Sequence, residues 1–323
     1  MNITLEMSKD KILITGANGQ LGRVLATELR KVHGQENVLA TDISTTDILN
    51  NSPYEFLDIM NVTRIEEIIE SHEITQIYHM AAILSASGEW NPMKTWKVNF
   101  DGHLAILEIA EKFKIKKVFF PSTIAVFGTT TPRKHTAQHV PLMPSTVYGI
   151  SKATGELWSN YYHSRYDTDI RSVRYPGIIG YQSLPSGGTT DYAVEIYHAA
   201  VKGEVYECFL AENTRLPMMY MPDAIRATVE LMQADKEDLS IRTSYNLSAM
   251  SFTPAEIATS IRKVIPDFTI IYKPDHRQAI AASWTESIDD SKAREDWKWK
   301  EEYDLDAMTH DMIKNLRLQL RNK

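Results

Sequence analysis

The chain has 323 residues, of which 43% are hydrophobic and 24% are charged, a composition typical of a globular protein with one large domain or two moderate ones and not of a disordered or fibrous chain. Its 35 lysines and arginines stand against 42 acidic residues and leave a net charge of -7, so no broad basic surface is available to bind nucleic acid. The sequence contains no apolar run long enough to cross a membrane. Its single cysteine, Cys208, can form neither an internal disulfide nor a multi-thiolate metal site.

The N-terminal segment MNITLEMSKD carries acidic side chains, has no arginine and lacks a long apolar core. Secretory signals and mitochondrial presequences have the opposite features. A lone cysteine is also typical of a reducing compartment. We therefore expect a cytoplasmic protein.

Short apolar, β-branched runs alternate with helical patterns over the first 180 residues. Strands are predicted at 11–15, 37–43, 54–59, 74–82, 116–122 and 169–175, and helices at 19–32, 62–71, 93–113 and 147–166. This alternation is typical of an α/β fold with a Rossmann-type doubly wound parallel sheet. After Pro176 the pattern loosens, so we predict a Rossmann domain over residues 1–180 and a smaller C-terminal lobe over residues 181–323, whose chain can return to the sheet.

A glycine-rich turn joins the first predicted strand to the first predicted helix. It reads GxxGxxG from Gly16 to Gly22, and glycines in such a turn let the backbone approach a pyrophosphate at the helix N-terminus. A purely structural turn would also use glycines, but the strand before it and the helix after it favour a dinucleotide site. The predicted cofactor-binding residues of this turn are Gly16, Asn18, Gly19, Gln20 and Leu21.

Asp42 ends the second predicted strand. A carboxylate at that position can accept hydrogen bonds from the adenosine ribose and repel a 2′-phosphate. Since no arginine stands beside Asp42, we expect NAD rather than NADP as the cofactor. The alternative is that Asp42 only caps a helix.

A tyrosine and a lysine stand four residues apart in the segment Tyr148 to Lys152. This spacing places both side chains on one face of a helix. A neighbouring cation lowers the pKa of a phenol, which is otherwise too weak a base to take a proton from an alcohol. Upstream, Ser122 and Thr123 end a predicted strand at the edge where parallel sheets bind ligands. The alternatives are a packed tyrosine, a solvated lysine and hydroxyls that only cap a loop.

These motifs together resemble the extended short-chain dehydrogenase/reductases. The resemblance rests on TGANGQLG, HMAA, PSTIAVFG, YGISK and RYPGIIG, which occur in the order and spacing of that family. It implies that Thr123 is the catalytic hydroxyl, that Tyr148 is the general base, and that Lys152 binds the nicotinamide ribose and tunes the tyrosine. It further implies cofactor contacts or support from Asp58, Ile59, Met80, Ala81, Ala82, Asn99, Tyr175 and Pro176.

Longer stretches resemble the branch of this family whose members oxidise L-threonine to 2-amino-3-oxobutanoate. They are AAILSASGE, PSTIAVFGTTTPR, SGGTTDYAVE and RLPMMYMPDAIRA, together with the region of Trp284. The resemblance implies L-threonine as the small-molecule substrate and a homodimer built on helices beside Tyr148. The implied substrate-binding residues are Ser85, Thr123, Tyr148, Gly188, Thr189, Thr190 and Trp284. A loop of glycines and threonines also suits a carboxylate, although a plain turn at Gly188 and core packing of Trp284 are the alternatives.

Three other functions remain to be weighed. A nucleotide-sugar epimerase or dehydratase would use the same fold, cofactor and Tyr/Lys pair, but here Leu, Pro and Met follow Arg215 where those enzymes carry polar residues. A non-catalytic NAD sensor would not need to keep Thr123, Tyr148 and Lys152 together. Metal catalysis has no support, because the histidines are scattered and no ligand cluster occurs. We therefore expect no metal site.

Overall fold

A computed structural model describes residues 10–48, 53–185 and 188–321. Most of the N-terminal segment on which the location was predicted lies outside these ranges, as do Ser186 and Gly187 of the SGGTTDYAVE stretch.

A parallel sheet of seven strands forms the centre of the described structure, in the order β10-β6-β5-β4-β1-β2-β3. Its order reverses between β1 and β4, which is the point at which doubly wound sheets bind ligands. The predicted Rossmann-type α/β fold is therefore confirmed. The strands are β1 (Ile12–Thr15), β2 (Val38–Asp42), β3 (Tyr54–Phe56), β4 (Gln76–His79), β5 (Lys117–Thr123), β6 (Ile170–Tyr175), β7 (Gly177–Ile179), β8 (Tyr206–Cys208), β9 (Leu216–Tyr220), β10 (Tyr245–Asn246), β11 (Met250–Phe252) and β12 (Ile270–Tyr272).

Helices cover both faces of this sheet and continue into the C-terminal half. The helices are α1 (Gln20–His33), α2 (Val62–Ser71), α3 (Ser85–Gly88), α4 (Pro92–Trp96), α5 (Gly102–Lys112), α6 (Val147–Tyr166), α7 (Tyr192–Lys202), α8 (Met221–Gln233), α9 (Pro254–Arg262), α10 (Arg277–Ser283), α11 (Ser291–Trp297) and α12 (Leu305–Arg321). Both α2 and α6 have their predicted bounds.

The helix predicted over 93–113 is present at 92–112, but it is not a regular α-helix. The structure has α4 and α5 joined by a π-helical turn, Lys97–Asp101. Such turns insert one extra residue into a helix and commonly occur at functional sites. Hydrophobic periodicity does not reveal this insertion, because the apolar residues on either side still follow a helical spacing.

Alternate residues of the central strands face opposite hydrophobic cores. Ile12 and Ile14 of β1 belong to the core that α1 and α8 cover, whereas Leu13 belongs to the core that α2 and α5 cover. This two-residue period is what a sheet buried on both faces requires. Such burial holds the carboxyl ends of the strands at one fixed edge.

The C-terminal half builds its own core and returns once to the central sheet. Strands β7, β9 and β11 form a three-stranded sheet, while β8 and β12 pair separately. Strand β10 lies beside β6 in the central sheet. Within the described part of the chain, we find no helix with the length and apolar character needed to span a bilayer.

Candidate active site

A cleft of about 890 Å³ opens at the carboxyl ends of β1, β4 and β5. It extends to the segment that follows β7 and to α12. Most of the residues predicted from the sequence line it. They are Gly16, Asn18, Gly19, Gln20, Leu21, Met80, Ala82, Ser85, Thr123, Tyr148, Lys152, Tyr175, Pro176, Gly188, Thr189, Thr190 and Trp284.

Two glycines of the turn lie close to other backbone segments: Gly16 lies against Ala81, and Gly22 of α1 lies against Gly16. Gly16 has φ +68°, and a Cβ there would lie 2.6 Å from the Ala81 nitrogen. A Cβ on Gly22 would lie 2.3 Å from the carbonyl oxygen of Gly16. Only glycine fits these positions without displacing the backbone.

The N-terminus of α1 is open toward the cleft. Its first residue follows Gly19, no side chain caps it, and its first turn contains no acidic residue. Unpaired N–H groups and the helix dipole at such an end favour an anion. The close glycine turn and this open end fit the pyrophosphate of a dinucleotide.

Five residues predicted as cofactor contacts or supports do not line the cleft. Asp42 accepts hydrogen bonds from the backbone nitrogens of Asn18, at 3.0 Å, and Ser44, at 3.1 Å. Asp58 accepts from the backbone of Met60, and Ile59 is buried. The other two are Ala81 and Asn99. The Asp42 carboxylate holds the glycine turn by bonding the backbone nitrogen of Asn18. In this structure it therefore has a structural role.

Asn99 lies in the π-helical turn and is buried. Its side-chain oxygen accepts from the Ile83 nitrogen at 2.8 Å, and its amide donates to the Ile83 carbonyl at 2.9 Å. The π-helical turn thus holds the segment that leads from β4 to Ser85. Asn99 supports the wall of the cleft without bordering it.

The start of α6 places Tyr148 beside Thr123. A Cβ on Gly149 would lie 2.2 Å from the Ala125 carbonyl oxygen, so glycine allows α6 to pack against the turn that follows Thr123. Thr146 caps this helix by accepting from the Gly149 nitrogen at 3.1 Å. The side chains of Thr123 and Tyr148 are hydrogen-bonded to each other.

Burial dominates the ionisation of the Tyr/Lys pair. It raises the pKa of Tyr148 to about 12, although the hydrogen bond with Thr123 opposes the shift. Burial also lowers the pKa of Lys152 to about 7. The Lys152 nitrogen lies 4.5 Å from the Phe120 ring centroid and 5.9 Å from that of Tyr148. The lowering of the Tyr148 pKa that Lys152 was expected to cause is thus not seen in the protein alone, where burial has the larger effect.

The opposite wall of the cleft presents hydroxyl groups and an indole. Thr189 is 1% exposed, and its hydroxyl has no hydrogen-bond partner among the residues that the structure describes. Buried hydroxyls normally have a partner, so this one is available to a ligand. Ser85 and Trp284 are also buried at the wall. Trp284 belongs to the core of the C-terminal lobe as well. Its side chain therefore both packs in that core and lines the cleft.

Several residues that line the cleft were not predicted. Arg23 of α1 donates to the carbonyl of Gln182 at 3.1 Å and so joins the glycine turn to the segment after β7. Other residues come from that segment, from α7 and from the last turns of α12: Tyr181, Ser183, Leu184, His198, Val201, Lys202, Leu316, Gln319 and Leu320. Arg23 follows the third glycine of the motif and could have been considered. The residues of α12 carry no local sequence signal for this site.

No group of three histidine, cysteine or acidic side chains suitable for a metal ion occurs among the described residues. Cys208 is buried and free, and burial raises the pKa of its thiol to about 11. Among the predicted residues that line the cleft, the groups available for chemistry are therefore hydroxyl groups, a phenol and an amine.

Comparison with known proteins gives a consistent result. Residues 12–247 match the model of the NAD dependent epimerase/dehydratase family. An L-threonine dehydrogenase from Cupriavidus necator, solved in its holo form, is 52% identical with a TM-score of 0.94, over 95% of this chain and 99% of that one. A mitochondrial L-threonine 3-dehydrogenase of Bos taurus is 45% identical over 95% of this chain and 83% of its own length. A monomeric L-threonine 3-dehydrogenase from a metagenome database is 46% identical with a TM-score of 0.92, over 95% of this chain and 99% of that one.

Proposed function

This chain belongs to the NAD-dependent epimerase/dehydratase family, and we propose that it is an L-threonine 3-dehydrogenase. It would oxidise the β-hydroxyl of L-threonine to 2-amino-3-oxobutanoate with NAD. The observation that carries the proposal is the similarity to threonine dehydrogenases along nearly the whole chain. The Thr123, Tyr148 and Lys152 side chains gathered in one cleft support it.

Residues from several regions of the chain would hold the cofactor. The glycine turn and the open end of α1 would bind the pyrophosphate, Asp42 the adenosine ribose, and Lys152 the nicotinamide ribose. Asp58 and Ile59 would contact the adenine, Met80 to Ala82 would line the cofactor, and Tyr175 and Pro176 would lie by the nicotinamide. When bound, NAD supplies the acceptor for the hydride that leaves the substrate.

Tyr148 would be the general base for the substrate hydroxyl. Its oxygen and that of Thr123 are joined by a hydrogen bond, and an alcohol placed between these groups can be oriented by Thr123 while Tyr148 accepts its proton. Lys152 would stabilise the phenolate once the proton moves. Because Lys152 is buried and Tyr148 is half-buried at the cleft, water has limited access to these interactions.

Ser85 and the segment from Gly188 to Thr190 would hold the amino acid. Within the described ranges the Thr189 hydroxyl has no hydrogen-bond partner. A loop of glycines and threonines suits a carboxylate, and in the protein alone the Gly188 nitrogen donates to the Asp191 carboxylate at 2.8 Å. The indole of Trp284 would close the pocket from the lobe. A small polar substrate fits these contacts.

The nucleotide-sugar alternative finds less support in the lobe. The side chains of β9 are buried and none of them lines the cleft; its one polar group, the Tyr220 hydroxyl, donates to Asp311 at 2.7 Å. Arg215 donates to the Ser251 carbonyl at 2.7 Å and pairs with Glu256 instead of bordering the cleft. We therefore retain threonine as the proposed substrate.

The decisive test follows NADH absorbance with purified protein, NAD and L-threonine. D-threonine, UDP-galactose and an added chelator provide the comparisons. NADH formed only with L-threonine, and unchanged by the chelator, is the expected result. If L-threonine yields no NADH and the sugar nucleotide is converted to its epimer, the nucleotide-sugar alternative replaces the proposal. Dinucleotide binding without turnover of either compound would favour a sensor.

We further propose that the protein is a homodimer. Leu157 and Tyr161 on the outer face of α6 are 62% and 49% exposed, which is unusual for large apolar side chains unless a partner covers them. Trp158 is exposed on the same helix. A monomeric relative is known, so the oligomeric state requires direct measurement.

The domain division and the location are also proposals. Residues 181–323 would form mainly the substrate-binding lobe, since they supply Gly188 to Thr190 and Trp284 to the cleft. We propose a cytoplasmic location, which fractionation of the source cells would test.

A further inference from the structure

A buried ion pair joins strand β6 to α6, the helix that carries Tyr148 and Lys152. Glu156 of α6 and Arg174 of β6 have side chains that are 0% and 5% exposed, with 2.8 Å between the nearest oxygen and nitrogen. The arginine Nε makes a further contact with the same carboxylate at 3.0 Å. A pair removed from water in this way is stable only when its other polar atoms also have partners.

The remaining polar atoms of this pair do have partners. Ser122 donates its hydroxyl to Glu156 at 2.5 Å. The other terminal nitrogen of Arg174 donates to the Gln138 carbonyl and to the Asn246 side chain, both at 3.0 Å. The network thus joins α6, β5, β6 and β10.

Each end of the network lies next to a proposed active-site residue. Ser122 directly precedes Thr123 on β5, and Glu156 lies one helical turn beyond Lys152 on α6. Because residues four apart on a helix are neighbours on one face, the Glu156 carboxylate supports the same side of α6 that carries Lys152. The ion pair therefore sets the position of α6 relative to the end of β5.

The network also extends to the opposite wall of the cleft. The amide of Asn246 donates to the Thr136 carbonyl at 3.0 Å. The Thr136 hydroxyl is hydrogen-bonded to that of Thr285, and Thr285 directly follows Trp284. Both walls of the cleft are thus tied to one buried pair.

We propose that the Glu156–Arg174 pair positions the active site by fixing Tyr148 and Lys152 against Thr123 and against the wall that carries Trp284. The proposal rests on the proposed threonine dehydrogenase function. It makes Glu156 and Arg174 positioning residues, since neither of them lines the cleft.

The two charges should act on the Tyr/Lys pair with opposite signs. Glu156→Gln leaves the Arg174 cation uncompensated, which lowers the pKa of Tyr148 and Lys152; Arg174→Met leaves the carboxylate uncompensated, which raises both. The other titratable groups packed near them are His79 on β4 and His103 on α5, whose pKa values burial lowers far below neutrality. Glu89 accepts from the Val147 nitrogen at the start of α6 and is unchanged in all variants.

The experiment measures the pH dependence of kcat/KM for L-threonine in the two single variants and the double variant. In the plot of kcat/KM against pH, we expect the acidic limb to shift to lower pH by about half a unit or more in Glu156→Gln and to higher pH by a similar amount in Arg174→Met. In the double variant the limb should return toward its wild-type position. The dissociation constant of NAD should change by less than about threefold. Limbs that coincide with wild type in both single variants would overturn the proposal.

A matched control lies on the same strand. Arg171 of β6 pairs with Asp169 at 2.7 Å, with side chains 1% and 7% exposed, but it bonds the Leu231 carbonyl at the other end of the sheet. Asp169→Asn and Arg171→Met break an equally buried pair, so they should reduce stability without moving the limb. A limb that moved equally in the control variants would show a general effect of lost stability.

Two further measurements keep the test decisive. If Glu156→Gln does not fold, Ser122→Ala removes only the hydroxyl donor and should lower kcat about fivefold with NAD binding retained; unchanged kcat would count against the proposal. Titration of Lys152 by NMR of ¹³C-labelled lysine, assigned with Lys152→Met, needs no substrate. If wild type fails to oxidise threonine, the proposed function fails, and the opposite pKa shifts of Lys152 still test the positioning inference.

Discussion

The proposed catalytic groups are controlled at the residue scale by burial. Lys152 is buried and Tyr148 is half-buried, and desolvation favours the neutral form of each. The phenol therefore keeps its proton and the amine loses its proton near neutral pH in the protein alone. The hydrogen bond with Thr123 is the one interaction that favours the phenolate here. The base is thus formed only when further interactions assist it.

Removal of the Tyr148 hydroxyl should abolish most turnover. Tyr148→Phe keeps the ring but removes the proton acceptor, and general bases contribute about 100-fold or more to rates. We expect kcat to fall by about that factor while calorimetry shows unchanged NAD binding. Tyr197→Phe is the control, because the hydroxyl of that fully buried tyrosine bonds Thr309 at 2.7 Å away from the cleft. A Tyr148→Phe enzyme with full kcat would refute the base assignment.

Lys152 should make stability depend on pH. Burial lowers its pKa to about 7 in the folded protein, whereas a lysine in the unfolded chain has a pKa of about 10.4. Between these values the unfolded chain binds a proton that the folded protein lacks, so stability rises with pH. The free energy of unfolding of wild type, minus that of Lys152→Met, should increase by about 2 kcal/mol from pH 7 to pH 9. Denaturant titrations at several pH values measure it, and a difference independent of pH would contradict the shift.

At the scale of elements, close backbone approaches position both halves of the site. The start of α1 lies against the glycine turn because Gly22 has no side chain. The start of α6 lies against Ala125 for the same reason at Gly149. The π-helical turn adds a third element by holding Ile83 through Asn99. Each contact fixes the start of a segment that borders the cleft.

Gly22→Ala should separate α1 from the glycine turn. Its Cβ would lie 2.3 Å from the Gly16 carbonyl oxygen, and relief of such a clash costs about 1–3 kcal/mol. We expect the dissociation constant of NAD to rise at least about tenfold, measured by calorimetry. Gly34→Ala at the other end of α1 is the control, since its φ of +89° makes alanine unfavourable there while its Cβ would lie 3.5 Å from Asn37. Equal loss of NAD affinity in both variants would argue against a local effect at the turn.

For the whole molecule, the cleft joins parts of the chain that are far apart in sequence. The sheet supplies the turn after β1 and the end of β5, the lobe supplies Thr189 and Trp284, and α12 supplies Leu316. The outer face of α6 points away from this cleft and leaves Leu157 and Tyr161 exposed. The helix that carries the proposed catalytic pair is therefore also the candidate dimer surface.

A charge on that surface should produce monomers. Leu157→Glu places a carboxylate on a side chain that is 62% exposed, so the fold should tolerate it while an apolar interface would not. Sedimentation equilibrium should show dimers for wild type and monomers for the variant. Leu318→Glu on α12, where the leucine is 48% exposed, is the control and should remain dimeric. A wild-type monomer would refute the homodimer.

Local patterns were sufficient for most of the fold. The two-residue and helical periods identified the central strands and the bounds of α2 and α6, because burial on one side or both imposes those periods directly. They missed the π-helical turn, which preserves the apolar spacing around it. The glycine turn, Thr123, Tyr148 and Lys152 could be found because each lies in a short motif whose chemistry depends on neighbours in sequence.

The sequence by itself determined the fold class, the cofactor turn and the types of side chain available for chemistry. Only the tertiary structure decided which of them share a cleft: it brought Arg23 to the segment after β7, added the end of α12, and left Asp42, Asp58, Ile59, Ala81 and Asn99 outside the lining. It also decided the ionisation of Tyr148 and Lys152. The physical reason is that desolvation and contacts between distant segments arise only when the whole chain packs, whereas periodicity and turn chemistry act between neighbours.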